Sequence, residues 1–473
     1  MRKTKIICTL GPAADHVEMI RALIDGGMDA ARFNFSHGNH TEHLERLNRL
    51  KAVRDTMGRP VATILDTKGP EIRIRGFEEK SVTLEAGDTF TLTTQEVTGN
   101  RERVSVSYPR LHEELSPGQV ILIDDGLVAV RVERIEGTNI ICTVENGGVL
   151  SANKSINIPG VHIQLPALTD KDVEDIRFGV ENDFDFIAAS FVRCAADVEA
   201  VRAVLRDCGG EDVRIIAKIE NQEGVDNLDE ILEAADGIMV ARGDLGVEIP
   251  AAQVPILQKR MIRQGLRLGK LVITATQMLD SMIRNPRPTR AEVSDIANAV
   301  YDGTSCVMLS GETAGGKYPL EALRTMAGIV TETEGAIDYW RQFEKQPALP
   351  AANINDAITH TCCLTAKDLE AKAILAATNS GHSARMICRF RPACPVAALT
   401  MREKVRRQLN LSWGVIPFLT GEVNSTDRIF SLTTDVAMKE GLVKPGDIVV
   451  ITAGVPLGRS GSTNLIKAQA VGE

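Results

Sequence analysis

The sequence predicts an α/β protein with three parts: a (β/α)8 (TIM) barrel, an antiparallel β lid domain inserted into that barrel, and a C-terminal α/β domain. Three observations indicate this fold class. Eight short apolar runs alternate with helical patterns over two separated regions. The segment between those regions alternates apolar and polar residues, and a third region repeats the strand and helix alternation. We expect 1–69 and 166–340 to form the barrel, 70–165 the lid domain and 350–473 the C-terminal domain.

The predicted barrel strands are continuously apolar, which is typical of parallel strands covered on both faces. Helical patterns separate them, the first at about 16–25 and 41–57. The two regions together approach the roughly 250 residues of this barrel class. The strands are expected at 6–9, 30–34, 61–65, 186–190, 215–219, 237–240, 271–275 and 306–309.

The inserted segment has the pattern of half-buried antiparallel strands, for example at 81–85, 89–93 and 128–132, with glycines recurring as turns. It leaves the barrel at Gly69-Pro70 and returns through a Pro-rich stretch at 159–166, so both connections are expected to act as hinges. Residues 169–172 then resemble a helix-starting capping box. A domain hinged over the third strand's loop is a candidate lid.

The third part has strand patterns at 373–378, 396–400, 414–418 and 448–452, separated by helical segments. It begins after a polar stretch and a short proline-bounded linker near residue 350. Because strands alternate with helices, a small α/β domain is predicted.

Composition excludes several classes of protein. The 473 residues are 44% hydrophobic and 25% charged, as in ordinary soluble globular chains. The 54 basic and 63 acidic residues give a net charge of −9, which argues against general binding of nucleic acid or membranes and favours small-molecule partners. Nine cysteines without a C-x-x-C pair, and no signal-like or membrane-spanning run, predict a cytoplasmic protein with reduced thiols.

Polar and charged residues follow the predicted barrel strands. Active sites of such barrels form at the carboxyl ends of the strands, so clusters at six of these ends point to one functional rim. Each cluster alone could be a salt bridge or a helix cap. The clusters are Arg32-Phe-Asn34-Phe-Ser36-His37, Asp66-Thr67-Lys68, Lys218-Ile-Glu220-Asn221, Arg242-Gly243-Asp244, Thr276-Gln277 and Ser310-Gly311-Glu312.

The chemistry of the rim indicates a hard divalent ion. Glu220 and Asp244 could each give Mg²⁺ one carboxylate and leave positions for substrate oxygens and waters. The alternative is that the two carboxylates form ion pairs with Lys218 and Arg242. Gly243 suggests a close backbone approach at a helix N-terminus, where N–H groups hold an anion.

The same rim indicates a phosphorylated anion. Arg32 can present a planar fork of donors to a phosphoryl group. Lys218 can supply a compact positive charge to an enolate oxygen or to a phosphoryl group during transfer.

Five segments of the sequence resemble the pyruvate kinase family, and the likeness is collinear over nearly the whole chain. It implies transfer of the phosphoryl group of phosphoenolpyruvate to ADP, giving pyruvate and ATP, in a bacterial-type enzyme without the extra C-terminal phosphohistidine-type domain. It also implies a homotetramer. The segments are 31–38 (ARFNFSHG), 65–73 (LDTKGPEIR), 217–221 (AKIEN), 237–250 (GIMVARGDLGVEIP) and 274–279 (TATQML).

The resemblance implies roles at the reacting centre. Lys218 would stabilise the transition state, and Arg32 would hold the substrate phosphate. Gly243, Asp244 and Thr276 would hold the substrate carboxylate end, and Thr276 would deliver a proton through water to the enolate carbon.

The resemblance also implies two ions and a nucleotide site. Glu220 and Asp244 would bind Mg²⁺ or Mn²⁺, and Arg73, Lys154 and His37 would contact the nucleotide. A lysine at the position of Glu71 is associated with independence from K⁺, so Glu71 predicts a K⁺-dependent enzyme. The K⁺ ligands would be Asn34, Ser36, Asp66 and Thr67.

Two segments of the C-terminal domain match the effector loops of allosteric members of the family. The first, 378–385, follows an apolar strand and opens a helix, and the alternative is a strand-to-helix turn with a serine cap. The second, 454–464, is rich in Gly and Ser. A phosphorylated metabolite is therefore the expected activator, held by Thr378, Asn379, Ser380, Gly381, Ser383, Arg459 and Gly461.

Two other functions remain open on the residues alone. A metal-dependent barrel lyase acting through a pyruvate enolate would need the same Lys, Glu and Asp but neither lid nor nucleotide site, and Arg73 and Lys154 argue against it. A catalytically silent metabolite sensor would not need an intact set of catalytic residues, and the set is intact: Lys218, Glu220, Asp244 and Thr276.

Overall fold

The first part of the chain forms a closed barrel of eight parallel strands, as predicted. The structure, a computed structural model, describes residues 2–346, 353–421, 425–456 and 463–472. The second and third strands pair in register, with Asn34 beside Asp66. The barrel strands, called first to eighth below, are Lys5–Thr9, Ala30–Asn34, Ala62–Asp66, Phe186–Ala189, Arg214–Ile219, Gly237–Ala241, Leu271–Ala275 and Cys306–Leu309.

Side chains alternate between two apolar layers along each barrel strand. Ile7 points into the barrel interior, where it packs with Ile64 and Ile216, whereas Ile6 and Cys8 pack against the outer helices. Both faces of each strand are therefore buried, which is why these runs contain almost no polar residues until they end. This alternation continues beyond the last apolar residue of each strand. It therefore decides which of the following polar side chains point into the barrel mouth.

Helices surround the barrel, and several begin at side-chain caps. The capping box predicted at 169–172 is present, with Thr169 accepting from the Asp172 N–H and Asp172 accepting from the Thr169 N–H. The barrel region holds α-helices at Val17–Gly26, His40–Met57, Asp170–Glu181, Ala195–Asp207, Gln222–Asp226, Leu228–Ala234, Arg242–Glu248, Val254–Arg267, Arg290–Asp302, Gly311–Ala314, Pro319–Gly335 and Tyr339–Lys345, and 3-10 turns at Pro12–Ala14, Ala251–Gln253 and Asp280–Ile283.

The insertion forms a seven-stranded sheet and a two-stranded sheet around its own apolar core. Its pairs are antiparallel as predicted, apart from one parallel pair between Thr89–Thr93 and Arg103–Ser105. A short helix, Leu111–Glu114, lies within it. The strands are Ile72–Arg73, Ser81–Leu84, Thr89–Thr93, Arg103–Ser105, Val120–Ile123, Val128–Glu136, Asn139–Asn146, Gly148–Ser151 and Ser155–Asn157.

The C-terminal domain is a five-stranded sheet covered by helices. Four strands were predicted, and the fifth, Thr463–Ala470, was missed. It pairs antiparallel at the sheet edge, and most of its side chains are partly or fully exposed, so it lacks an apolar run. The strands in spatial order are Val415–Leu419, Val396–Thr400, Ala373–Ala377, Ile448–Gly454 and Thr463–Ala470, and the helices are Ile354–Asp368, His382–Cys388, Glu403–Leu409 and Thr426–Lys439.

The C-terminal domain docks on the end of the barrel where the strands begin. Arg407 donates from Nε to Asp185 Oδ1 at 2.8 Å, and Asp185 directly precedes the fourth strand. Lys5, which opens the first strand, donates to the carbonyl oxygen of Val415 at 2.9 Å. This end lies opposite the rim where the strands finish. In the described ranges, no helix combines the length and hydropathy needed to span a membrane.

Candidate active site

Asp66 lies at the centre of a buried ionic cluster at the carboxyl ends of the barrel strands. Its side chain is buried, with Oδ2 2.6 Å from Arg32 Nε and Oδ1 3.2 Å from Lys218 Nζ. Burial by itself would raise the pKa of Asp66, but the charges of Arg32 and Lys218 outweigh it and hold the pKa below its ordinary value. Asp66 is therefore ionised and aligns both cations toward the barrel mouth.

Lys218 has three polar neighbours at the barrel mouth. Its Nζ lies 2.7 Å from Ser190 Oγ and 3.0 Å from Glu220 Oε1, besides its contact with Asp66. Burial disfavours the ammonium ion, but the carboxylates of Asp66 and Glu220 more than offset this and raise the pKa of Lys218. Lys218 therefore keeps its positive charge in a nearly dry site.

Sequence reasoning missed Ser190, although the strand alternation contains the signal. Ala188 faces the barrel interior, so a residue two positions later at the end of the fourth strand returns to the same face. Its hydroxyl donates to the carbonyl oxygen of Thr67 at 2.7 Å and accepts from Lys218. Lys218 and Glu220 likewise lie two and four positions after the inward-facing Ile216. Ser190, Lys218 and Glu220 therefore all point into the cluster.

Glu220 is a buried carboxylate with one oxygen left without a hydrogen-bond partner. Oε2 accepts the Phe191 N–H at 2.6 Å, whereas the contact of Oε1 is the ion pair with Lys218 at 3.0 Å and it accepts no other hydrogen bond from the described residues. Burial raises the pKa of Glu220 to about 8, Lys218 opposes this, and Asp244 adds repulsion. A buried carboxylate whose negative charge is only partly balanced, and which has an oxygen available for coordination, is suited to binding a divalent cation.

The alternative of two structural ion pairs holds for only one carboxylate. Lys218 does lie beside Glu220. Arg242, however, turns away and pairs with Asp295 at 2.7 Å, so Asp244 has no ion pair in the described part of the chain. Asp244 is only half-buried, in the first turn of the helix Arg242–Glu248. Asp244 therefore offers an unpaired carboxylate at the rim, and Glu220 adds an oxygen that has an ion-pair contact with Lys218 but no hydrogen bond from the described residues.

Thr276 is fixed by its neighbours in a backbone conformation that a β-branched residue rarely adopts. Its φ is +67°, and Gln277 follows with φ +54°. The Thr276 hydroxyl accepts the Gly243 N–H at 2.8 Å and donates to the Ala275 carbonyl oxygen at 2.7 Å. Arg242 donates to the carbonyl oxygen of Thr276 at 2.7 Å. This positive φ breaks the strand geometry and sets the hydroxyl beside the helix start, where it accepts the Gly243 N–H that the sequence predicted to hold an anion.

The four predicted K⁺ ligands lie on neighbouring strand ends. The Asn34 side-chain oxygen accepts the Ser36 N–H at 3.1 Å, and Asn34 pairs in register with Asp66. The Thr67 hydroxyl accepts the Ser190 N–H at 3.2 Å. These residues present several oxygens in one region, although Asp66 is shared with Arg32 and Lys218.

The predicted nucleotide contacts lie on both sides of the connection between the barrel and the inserted domain. Arg73 makes an ion pair with Glu71 at 2.6 Å and donates to the Asn153 carbonyl oxygen at 2.6 Å. Lys154 pairs with Asp124 at 2.9 Å and directly precedes the strand that pairs with Arg73. His37 is exposed beyond the second barrel strand.

The cluster after the eighth strand is structural. The Glu312 carboxylate is buried and accepts the N–H groups of Leu279 at 3.0 Å and Ser310 at 2.7 Å. It thereby ties the loops after the seventh and eighth strands together and leaves little capacity for a ligand.

The predicted effector residues form a tight turn before a short helix. Gly381 has φ +78°, and its N–H donates to the Thr378 hydroxyl at 3.0 Å. Asn379 and Ser380 are half-buried, whereas the Ser383 hydroxyl is buried and hydrogen-bonded to that of Thr463. Arg459 and Gly461 lie outside the described residues.

Comparison with known proteins identifies relatives over the whole chain. The family "Pyruvate kinase, barrel domain" matches residues 1–323, and "Pyruvate kinase, alpha/beta domain" matches 356–468. The chain is 51% identical to a pyruvate kinase of Clostridium acetobutylicum over 472 residues, covering all of both chains. It is 50% identical to one of Geobacillus stearothermophilus, covering 81% of that protein. A crystal structure of a pyruvate kinase from Cryptosporidium parvum matches 99% of this chain and 96% of that one, with a TM-score of 0.95 and 40% identity.

Proposed function

Because the chain belongs to the pyruvate kinase family and is a kinase, we propose that its barrel rim transfers the phosphoryl group of phosphoenolpyruvate to ADP in a reaction that needs Mg²⁺ or Mn²⁺ and K⁺. One observation carries this proposal. Arg32 and Lys218 flank the ionised Asp66 while an unsatisfied oxygen of Glu220 faces the same buried cluster. Two cations beside a metal-ready carboxylate are the parts that phosphoryl transfer requires.

The residues act on the phosphoryl group by position and charge. Arg32 binds the phosphate of phosphoenolpyruvate, and Lys218 stabilises the charge that develops as the group moves to ADP. Glu220 and Asp244 would hold a divalent cation, which when bound adds positive charge beside the phosphoryl oxygens. Since Asp66 already aligns both cations, little reorganisation is needed during the reaction.

Thr276 and Gly243 act on the other end of the substrate. The substrate carboxylate binds at the start of the helix Arg242–Glu248, where Gly243 and Asp244 lie in the first turn. Thr276 then passes a proton through water to the enolate carbon. The strained backbone of Thr276 keeps its hydroxyl at this corner, as pre-organisation requires.

We assign residues 70–165 as a lid that closes over the nucleotide. Arg73 and Lys154, which pair with Glu71 and Asp124, would exchange these partners for nucleotide phosphates, and His37 adds a contact from the barrel. The lid touches the substrate-binding helix where Asn157 donates to Glu248 at 2.8 Å. Closure would exclude water, whose attack on phosphoenolpyruvate competes with transfer to ADP.

A coupled assay with phosphoenolpyruvate tests the proposal. The expected result is pyruvate formation that requires ADP, a divalent cation and K⁺. Turnover of phosphoenolpyruvate without ADP and without release of inorganic phosphate would identify a lyase. Binding of phosphoenolpyruvate with no turnover under any of these conditions would identify a sensor.

We predict that Glu71→Lys makes the enzyme active without K⁺. Glu71 is largely buried and faces Arg73, and burial raises the pKa of its carboxyl. A lysine ammonium there would supply the positive charge that the parent takes from the ion. Initial rates with K⁺ replaced by a large organic cation give the measurement, and Glu79→Lys, an exposed change in the same domain, is the control. A parent that is active without K⁺ contradicts the prediction.

We further propose that a sugar phosphate or nucleoside monophosphate activates a cytoplasmic homotetramer through the loop 378–381. Ser383 is unsuited as a probe because its buried hydroxyl contacts Thr463. Ser380→Asp should instead abolish the effector-induced decrease in KM for phosphoenolpyruvate, because the carboxylate repels the phosphate. KM with and without effector is the measurement, and Ser380→Ala should retain activation. Equal activation in Ser380→Asp and the parent would show that the loop is only a turn.

A further inference from the structure

A small cleft, partly open to solvent, lies between the C-terminal domain and the end of the barrel where the strands begin. Lys270 and Ser305, which precede the seventh and eighth strands, line it from the barrel. The helix His382–Cys388, the turn after it and Trp413 line it from the C-terminal domain. The cleft is thus separated from the candidate active site by the length of the barrel.

The cleft holds more positive than negative charge. Its lining includes Lys270, Arg385, Arg389 and Arg391, and no acidic residue. Among the described residues, only Arg389 has a carboxylate partner, Asp356 at 3.0 Å. Lys270 donates to backbone carbonyl oxygens, the nearest at 2.6 Å, and Arg385 donates to the Ser380 carbonyl oxygen at 3.2 Å. Carbonyl oxygens solvate these cations but do not neutralise them.

Arg391 is the most deeply buried of these cations, with 6% of its surface exposed. It stacks on Trp413 at 4.5 Å and donates from its two terminal nitrogens to the carbonyl oxygens of Cys388 and Gly303. Its Nε has no hydrogen-bond partner among the described residues, and neither has Nε of Arg389. A buried charged donor without a partner is costly, so an anion is the complement that the cleft lacks.

We propose that this interdomain cleft binds a phosphate group, either as inorganic phosphate or as the phosphate of a small metabolite. Guanidinium forks and an ammonium ion match the several oxygens and double charge of phosphate. Because the cations come from both domains, the bound anion would link the barrel to the C-terminal domain and stabilise their docking.

Trp413 provides a direct readout, since the chain has only one other tryptophan, Trp340. In Trp340→Phe protein, potassium phosphate should change the fluorescence of Trp413 saturably, whereas potassium chloride at equal ionic strength should not. Lys270→Met and Arg385→Met should each weaken binding about tenfold, or about 1.4 kcal/mol. Arg263→Met, an exposed change on the barrel helix nearby, should leave binding unchanged.

Two further fluorescence measurements identify the binding site of the phosphate and whether the phosphate comes as a free ion or as part of a metabolite. The fluorescence change should persist with Ser380→Asp, and its loss there would assign the phosphate to the loop 378–381 and overturn the proposal. The proposal would also be overturned if phosphate caused no saturable change in Trp413 fluorescence. The same holds if Lys270→Met and Arg385→Met bound phosphate as tightly as Arg263→Met. Tighter binding of glycerol phosphate than of inorganic phosphate supports a metabolite ligand, and the reverse order supports the free ion.

Discussion

Replacing Lys218 with methionine should lower kcat by about a hundredfold to a thousandfold, while KM for phosphoenolpyruvate changes only a few-fold. Removal of one preorganised charge that acts on the transition state typically costs about 3–4 kcal/mol. Arg32 keeps its own bond to Asp66 at 2.6 Å, so the phosphate-binding cation stays aligned in the variant. The loss therefore belongs to kcat, because the Lys218 charge acts on the reacting group rather than on ground-state binding.

Steady-state kinetics and direct titration of phosphoenolpyruvate measure the two effects separately. Lys259→Met is the matched control, since Lys259 also pairs with an aspartate, Asp302, but on the outside of the barrel. A Lys218→Met enzyme that keeps kcat within about tenfold of the parent, or about 1.4 kcal/mol, would reduce Lys218 to a structural ion-pair partner.

Glu220→Gln should abolish measurable divalent-cation binding at the rim and reduce activity by orders of magnitude. The amide retains one oxygen but removes the charge that Glu220 and Asp244 would share around the ion. Binding of Mn²⁺ followed by electron paramagnetic resonance gives the measurement. Glu211→Gln, an exposed change near the start of the fifth strand, should bind Mn²⁺ like the parent. Equal Mn²⁺ affinity in Glu220→Gln and the parent would contradict the metal assignment.

Glu220 should also make the metal-free protein less stable as pH rises. Burial raises the pKa of its carboxyl to about 8, so between the ordinary carboxyl range and that value the native state holds a proton that the unfolded chain has released. The free energy of unfolding therefore falls with increasing pH across this window and levels off above it. Denaturant unfolding at pH 6 and pH 8 without divalent ions should show a smaller decrease for Glu220→Gln. Identical pH dependence in both proteins would refute this.

The sequence predicted the barrel and most of its rim because both follow from local patterns. Apolar runs that end abruptly in charged residues mark buried parallel strands and their carboxyl ends. Lys218 and Glu220 stand two and four positions beyond the inward-facing Ile216, so their place at the mouth was already implied by strand geometry. The edge strand Thr463–Ala470 was missed because half-exposed strands carry no such run.

Which charges meet was decided only by the tertiary structure. Asp66 joins Arg32 to Lys218, Arg242 turns from Asp244 to Asp295, and Glu312 braces two loops instead of facing a ligand. These partners come from different strands and helices, and local spacing does not encode the distance between them. The sequence by itself determined the kinds of chemistry available at each strand end, through residue type and alternation. Barrel closure selected the pairs, because it brings strands that are far apart in the chain within hydrogen-bond reach, where a buried charge is stabilised by an opposite one.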